Sequence, residues 1–107
     1  MPVIRIDFDS DAVSDEEVLA LSQAVRDIVS EVTEIEDVFV YANSSQIKVK
    51  IAPLEVFVQM SAHKVKNVDE LVATIKSKLS IWKQSQHFRH LINLTFIPMD
   101  WKIEIGI

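Results

Sequence analysis

Cysteine is absent from this sequence, which excludes a disulfide framework and thiol chemistry and leads us to expect a reducing, cytoplasmic setting. Glycine occurs once, at Gly106, so neither a phosphate-cradling P-loop nor a Gly-rich dinucleotide fingerprint is present. The same shortage leaves every serine outside a nucleophile elbow. Positive charge is also scarce: 11 basic residues stand against 16 acidic ones. The net charge of −5 has the wrong sign for a general binder of phosphate backbones, so no nucleic-acid partner is expected. No apolar run approaches transmembrane length, and no basic stretch precedes an apolar one near the start. Neither a membrane partner nor a signal peptide is therefore expected.

What the chain has is apolar residues in regular patterns. Of its 107 residues, 49% are hydrophobic and 25% charged, the balance of a globular chain, and the length suits one domain spanning 1–107. A domain this small buries a modest fraction of its surface, so the apolar content points to cover by neighbouring subunits.

Residues 3–8 alternate, with Ile4, Ile6 and Phe8 on one side and Val3, Arg5 and Asp7 on the other, which predicts a strand. Ser14 followed three residues later by Glu17 is a capping box. Val18, Leu21, Val25, Ile28, Val29 and Val32 then recur at helical steps, predicting a helix over 15–32. Val38 to Tyr41 reads as a second strand, and Asn43-Ser44-Ser45 as a turn. Ile47, Val49 and Ile51 alternate with Lys48 and Lys50, predicting a short hairpin strand. Leu54 to Met60 is a further strand. The segment beginning Asn67-Val68-Asp69-Glu70 repeats the capping logic and opens a second helix through Leu71, Ile75, Leu79 and Trp82. A basic linker over 83–90 leads to a strand from Leu91 to Ile97 that Pro98 should break, and Trp101 to Ile105 alternates once more.

This order predicts an α+β fold. Two βαβ repeats form a four-stranded mixed sheet with both helices on one face, and short extra strands remain for subunit contacts. The opposite sheet face is expected to be apolar and covered by other copies.

Pro2 carries the most chemistry. If Met1 is removed, its ring nitrogen becomes a secondary amine able to take up and return a proton. Burial would move its pKa down toward neutrality, where a general base works best. While Met1 is attached, the same nitrogen is a tertiary amide without a basic lone pair. The structural alternative is a proline that merely opens an edge strand.

With Pro2 opening the first strand, the capped helix at Ser14-Asp15-Glu16 and two βαβ repeats, the chain resembles the tautomerase superfamily, which includes 4-oxalocrotonate tautomerase and macrophage migration inhibitory factor. The resemblance implies a homotrimer with active sites at subunit interfaces, no cofactor and no metal. It implies Pro2 as catalytic base on a small carbonyl or enol substrate. It places Ala62 near the position whose backbone N–H binds a substrate oxygen. Asn93 and Thr95 fall on the strand that serves a neighbour's site. Phe39 and Thr33 stand where family members carry a cation, so His63, Lys64 or Lys50 would have to supply the charge that carboxylate substrates need.

His87 and His90 are three residues apart, a spacing compatible with a metal on a helix. With only His63 besides, a basic connection is the better reading. Trp82 and Trp101 read as core or interface anchors. Two functions follow. One is a tautomerase-like enzyme using Pro2; the other is a non-catalytic trimeric module for binding or assembly on the same fold.

Overall fold

The computed structural model describes all 107 residues, Met1–Ile107. In chain order the elements are β1 (Val3–Phe8), α1 (Asp15–Thr33), β2 (Phe39–Ser44), β3 (Leu54–Ser61), a 3-10 turn (Ala62–Lys64), α2 (Val68–Gln86) and β4 (Asn93–Met99). The sheet runs β2-β1-β3-β4, with β1/β2 and β3/β4 parallel and β1/β3 antiparallel. Each parallel pair is bridged by one helix, as a parallel crossover requires. The expected mixed sheet of two βαβ units is what forms.

Strand alternation and helix stripes meet in one core. Ile4, Ile6 and Phe8 of β1 and Leu54, Val56 and Val58 of β3 are buried against Val18, Leu21, Val25 and Val29 of α1 and Ile75 and Leu79 of α2. Each such side chain contributes about 1.5–3 kcal/mol on leaving water, more than any cap or surface ion pair. Burial therefore fixes which sheet face the helices cover.

Both helix starts follow the sequence. The Glu17 N–H donates to Ser14 Oγ at 3.2 Å, and the Ser14 N–H donates to Glu17 Oε1 at 3.0 Å. At α2 the Glu70 N–H donates to Asn67 Oδ1 at 3.0 Å. Ser14→Ala is expected to cost about 1 kcal/mol, read as a shift in the denaturant midpoint. An unchanged midpoint would show that the tertiary contacts of α1 make the cap redundant.

The helix ends do not follow the sequence. Glu34 (φ 58°) and His87 (φ 53°) take the left-handed conformation that usually falls to glycine. Neither is buried, so no packing compensates the strain. Glu34→Gly should therefore stabilise the fold by roughly 0.5–1 kcal/mol, measurable by thermal unfolding. A destabilised variant would mean that the Glu34 side chain matters more than its backbone.

Several expectations need correction. Asn43 and Ser44, read as a turn, are the last residues of β2. Residues 47–51 form no strand: Ile47 and Val49 are more than nine-tenths exposed, and Lys48 is drawn instead to the Asp9 and Asp11 carboxylates. The helix α2 continues through 83–86, where no glycine or proline stops it and Lys83 complements the negative end of the helix dipole. Pro98 does not break β4 but pairs with Met60 inside it, which an edge strand permits. The tail over 101–107 is not a strand in the single chain, where no sheet edge receives it.

The sheet face away from the helices is mixed rather than apolar. By strand alternation it carries Arg5, Asp7 and Gln59 beside Phe39, Tyr41 and Phe57. Arg5 lies 4.4 Å over the Phe57 ring and 3.2 Å from Asp7, so charge and aromatic surface are intermixed there.

Candidate active site around Pro2

The alternation that buries Ile4, Ile6 and Phe8 also buries the Pro2 ring, which is under 2% exposed. Its carbonyl accepts the Phe39 N–H at 3.1 Å, continuing the β1/β2 ladder one step past Val3. Extending the registers by one residue puts Pro2 level with Val38 on one side and Met60 on the other, both buried. The Pro2 nitrogen thus stands at one end of the sheet among apolar neighbours.

Because β3 runs antiparallel to β1, it ends where β1 begins. The 3-10 turn Ala62–Lys64 follows Ser61 directly at that end. Pro2, Phe39, Ala62, His63 and Lys64 therefore gather at one edge of the molecule. The His63 Nε2 lies 3.3 Å from the Asp100 carboxylate, with both side chains over 80% exposed, so water screens the pair. Lys64 faces a groove of about 490 Å³ that Val32 and Thr33 line from α1 and Leu71 from α2. Lys50 lies at the other end of β1, in a cleft beside Asp7 and Phe8. Of the three cations considered as substitutes for the missing one, His63 and Lys64 share the Pro2 end.

Asn93 and Thr95 are elsewhere. They pair with Glu55 and Phe57, which precede Met60 by five and three residues along β3. At ~3.3 Å per residue, this places them roughly 17 and 10 Å down the strand from the level of Pro2. The Asn93 amide donates weakly to Glu55 at 3.4 Å. One protomer does not bring them to Pro2.

An ion pair with both side chains largely covered lies at the far end of β1. The Lys48 ammonium holds the Asp9 carboxyl below its ordinary value, helped by the Asp11 backbone N–H. Asp11 and Asp9 in turn raise Lys48. The Glu17 carboxyl is also lowered, first by the Ser14 backbone N–H and then by His90, whose Nε2 lies 2.7 Å away.

Groups with a depressed folded pKa add stability that is present above their unfolded values, near 4, and is lost as pH falls through the folded ones. Acid should thus loosen the N-terminus of α1 and the loop that Lys48 anchors. Glu17→Gln should flatten the fall in stability between neutral and acidic pH, measured by urea unfolding. An unaltered slope would show that Glu17 takes no part. No group of three or more His, Asp or Glu side chains is arranged to hold a metal ion.

No protein-family model matches the chain, and no curated protein matches it in sequence. Solved structures do match. A domain of unknown function from Sebaldella termitidis superposes with a TM-score of 0.69 at 14% identity, covering 100% of this chain and 98% of that one. Malonate semialdehyde decarboxylase gives 0.68 at 9% identity, covering 98% and 92%. A 5-carboxymethyl-2-hydroxymuconate delta-isomerase gives 0.67 at 13% identity, covering 99% and 89%. The chain has the tautomerase fold. At these identities the agreement is one of architecture, reached over nearly the full length of each chain. No helix is long and apolar enough to cross a membrane.

Sequence reasoning singled out Lys64 but missed its groove. The partners that complete it, Val32 and Thr33, lie more than thirty residues earlier, so only the folded tautomerase architecture joins them. The nearest signal in the sequence was the closeness of Lys64 and Lys66.

Proposed function

We propose that this protein is a tautomerase-like proton-transfer catalyst acting on a keto or enol substrate, with Pro2 as general base once Met1 is removed. The observation that carries this reading is the buried Pro2 ring at the end of β1. A free secondary amine there is poorly hydrated, so its charged form is disfavoured and its lone pair is available near neutral pH. It removes a proton α to the carbonyl and returns it elsewhere on the conjugated system. The Ala62 backbone N–H would polarise the substrate oxygen, Phe39 would wall the site, and Lys64 or His63 would supply positive charge.

The separation of Asn93 and Thr95 from Pro2 supports a site completed by a neighbouring protomer. So do the exposed Ile103, Ile105 and Ile107 of the unpaired tail. Proteins with this fold include an isomerase and a fused 4-OT trimer, the latter superposing with a TM-score of 0.67 at 12% identity. We read the assembly as a cytoplasmic homotrimer of one-domain chains. Light scattering should then report three times the mass of one chain at micromolar concentration, and a stable monomer would refute it.

The test of chemistry compares two samples, one with Met1 removed and one retaining it, each verified by mass. The processed protein should ketonise phenylenolpyruvate and the other should not, because the amide removes the lone pair while leaving the fold intact. Equal turnover by both would remove Pro2 as the base.

A second reading, a non-catalytic binding or assembly module, is favoured by one observation: neither Phe39 nor Thr33 offers a cation. Under it, both samples are inactive and both are trimers.

A further inference from the structure

Of the three histidines, only His90 is largely covered. Its side chain is 23% exposed, against 82% for His63, and His87 is exposed as well. His90 belongs to the connection between α2 and β4, residues 87–92, which forms no helix or strand. Its Nε2 lies 2.7 Å from Glu17 Oε2, which ties this connection to the first turn of α1, 73 positions earlier. The carboxylate is held from its other side, where Oε1 accepts the Ser14 N–H. The imidazole is steadied in turn by aromatic rings. Phe88 meets it edge-on at 5.3 Å, and Trp82 of α2 meets Phe88 at 5.1 Å. Phe88 and Ile92 pack on the core, whereas Arg89 and Leu91 are exposed and His87 takes the left-handed conformation. Burial therefore anchors the connection only in part.

We infer that Glu17 and His90 form a pH-sensitive clasp, which fastens the 87–92 connection and the entry to β4 more firmly when the imidazole carries a proton. Histidine is the side chain that changes charge between pH 5 and 8. An imidazolium donating to a carboxylate makes a charge-assisted hydrogen bond, roughly twice as strong as a neutral one. The charges around the clasp are of both signs. Asp15 and Glu16 share the first turn of α1 with Glu17, while Asp9 and Asp11 are taken by Lys48. Arg89 and His87 lie on the connection itself, Lys83 ends α2, and the α1 dipole presents its positive end. The core beneath Phe88 and Ile92 holds no charged side chain. On the acid side the sign reverses. The Ser14 N–H, and then His90, hold the Glu17 carboxyl below its ordinary value, so its share of the clasp is lost only as pH falls through that lowered value. The clasp is thus tightest in mildly acidic medium and looser on either side. It sits where α1 follows the end of β1, away from Pro2, so it owes nothing to catalysis there.

The test is amide hydrogen exchange of the full chain at pH 6 and pH 8, corrected for the intrinsic effect of pH and read as protection. The amides to follow are that of Phe88, which donates to the Lys83 carbonyl at 3.0 Å, and the first of β4. The parent protein should protect them about two- to fivefold better at pH 6 than at pH 8. Glu17→Gln should abolish that difference. Glutamine at this position still completes a capping box, so the variant removes the charge and keeps the helix start. His90→Gln should also abolish it, whereas His87→Gln, which removes the other imidazole of the connection, should keep it. Added salt should shrink the difference in the parent. Equal protection at both pH values in the parent would overturn the inference. So would an undiminished difference in Glu17→Gln or His90→Gln, or one that His87→Gln removes.

Discussion

Pro2→Ala should lower the ketonisation rate of Met1-free protein at least tenfold, and toward the ~100-fold loss typical when a general base is removed. The expectation is bounded on both sides. Alanine leaves a primary amine at the same place, so some proton transfer survives. That amine lacks the ring that fixes its direction, and its basicity differs. The ring is small and sits at the end of β1, so the variant should keep its far-ultraviolet spectrum and oligomeric state. Activity should also fall as pH drops, because a protonated amine cannot accept a second proton. A variant as fast as the parent would reduce Pro2 to a residue that starts a strand.

The largest stability loss is expected at Leu21. It is fully buried in the first half of α1, in the core shared with the sheet, whereas Leu19, two residues earlier, is 59% exposed. Leu21→Ala removes buried methyl groups and leaves a cavity that rigid neighbours fill poorly, at a cost of about 2–5 kcal/mol. For a chain of this size each 1 kcal/mol corresponds to roughly 4–8 °C in Tm, so a fall of ~10 °C or more is expected. Leu19→Ala should change stability by no more than about 0.5 kcal/mol. If the two variants unfolded alike, the helix would be turned differently on the sheet. A large effect at Leu19 alone would mean that another copy covers that face.

The sheet, the helix starts and the core were legible because each rests on a local signal. Ile4, Ile6 and Phe8 alternate, Val18, Leu21 and Val25 recur at helical steps, and Ser14 and Asn67 carry side chains that accept a backbone N–H. The helix ends were not legible because the usual glycine is missing, and Glu34 and His87 fill the left-handed position without announcing it. The alternation at Ile47, Val49 and Ile51 misled for a different reason. A strand also needs a partner edge, and here Lys48 is held by Asp9 and Asp11 instead. Pro98 misled because proline breaks a central ladder but not the outermost strand. Within the candidate site, Pro2 and Ala62 could be placed from their order along the strands. The groove of Lys64 depends on where α1 ends in space, which no spacing in the sequence encodes.

Pro98 makes the two borders of this sheet chemically unequal. Its neighbour β3 lies on one side only, and proline has no N–H, so its nitrogen is tolerated facing away from the β3 ladder. An incoming strand that docks along the outer rim of β4 therefore meets a gap where a donor should be. The rim of β2, Phe39–Ser44, contains no proline and can continue a ladder uninterrupted. Growth of the sheet by strand addition is thus favoured at one border and discouraged at the other. Open-ended stacking needs two compatible borders, so this asymmetry also guards an apolar chain against fibrous association.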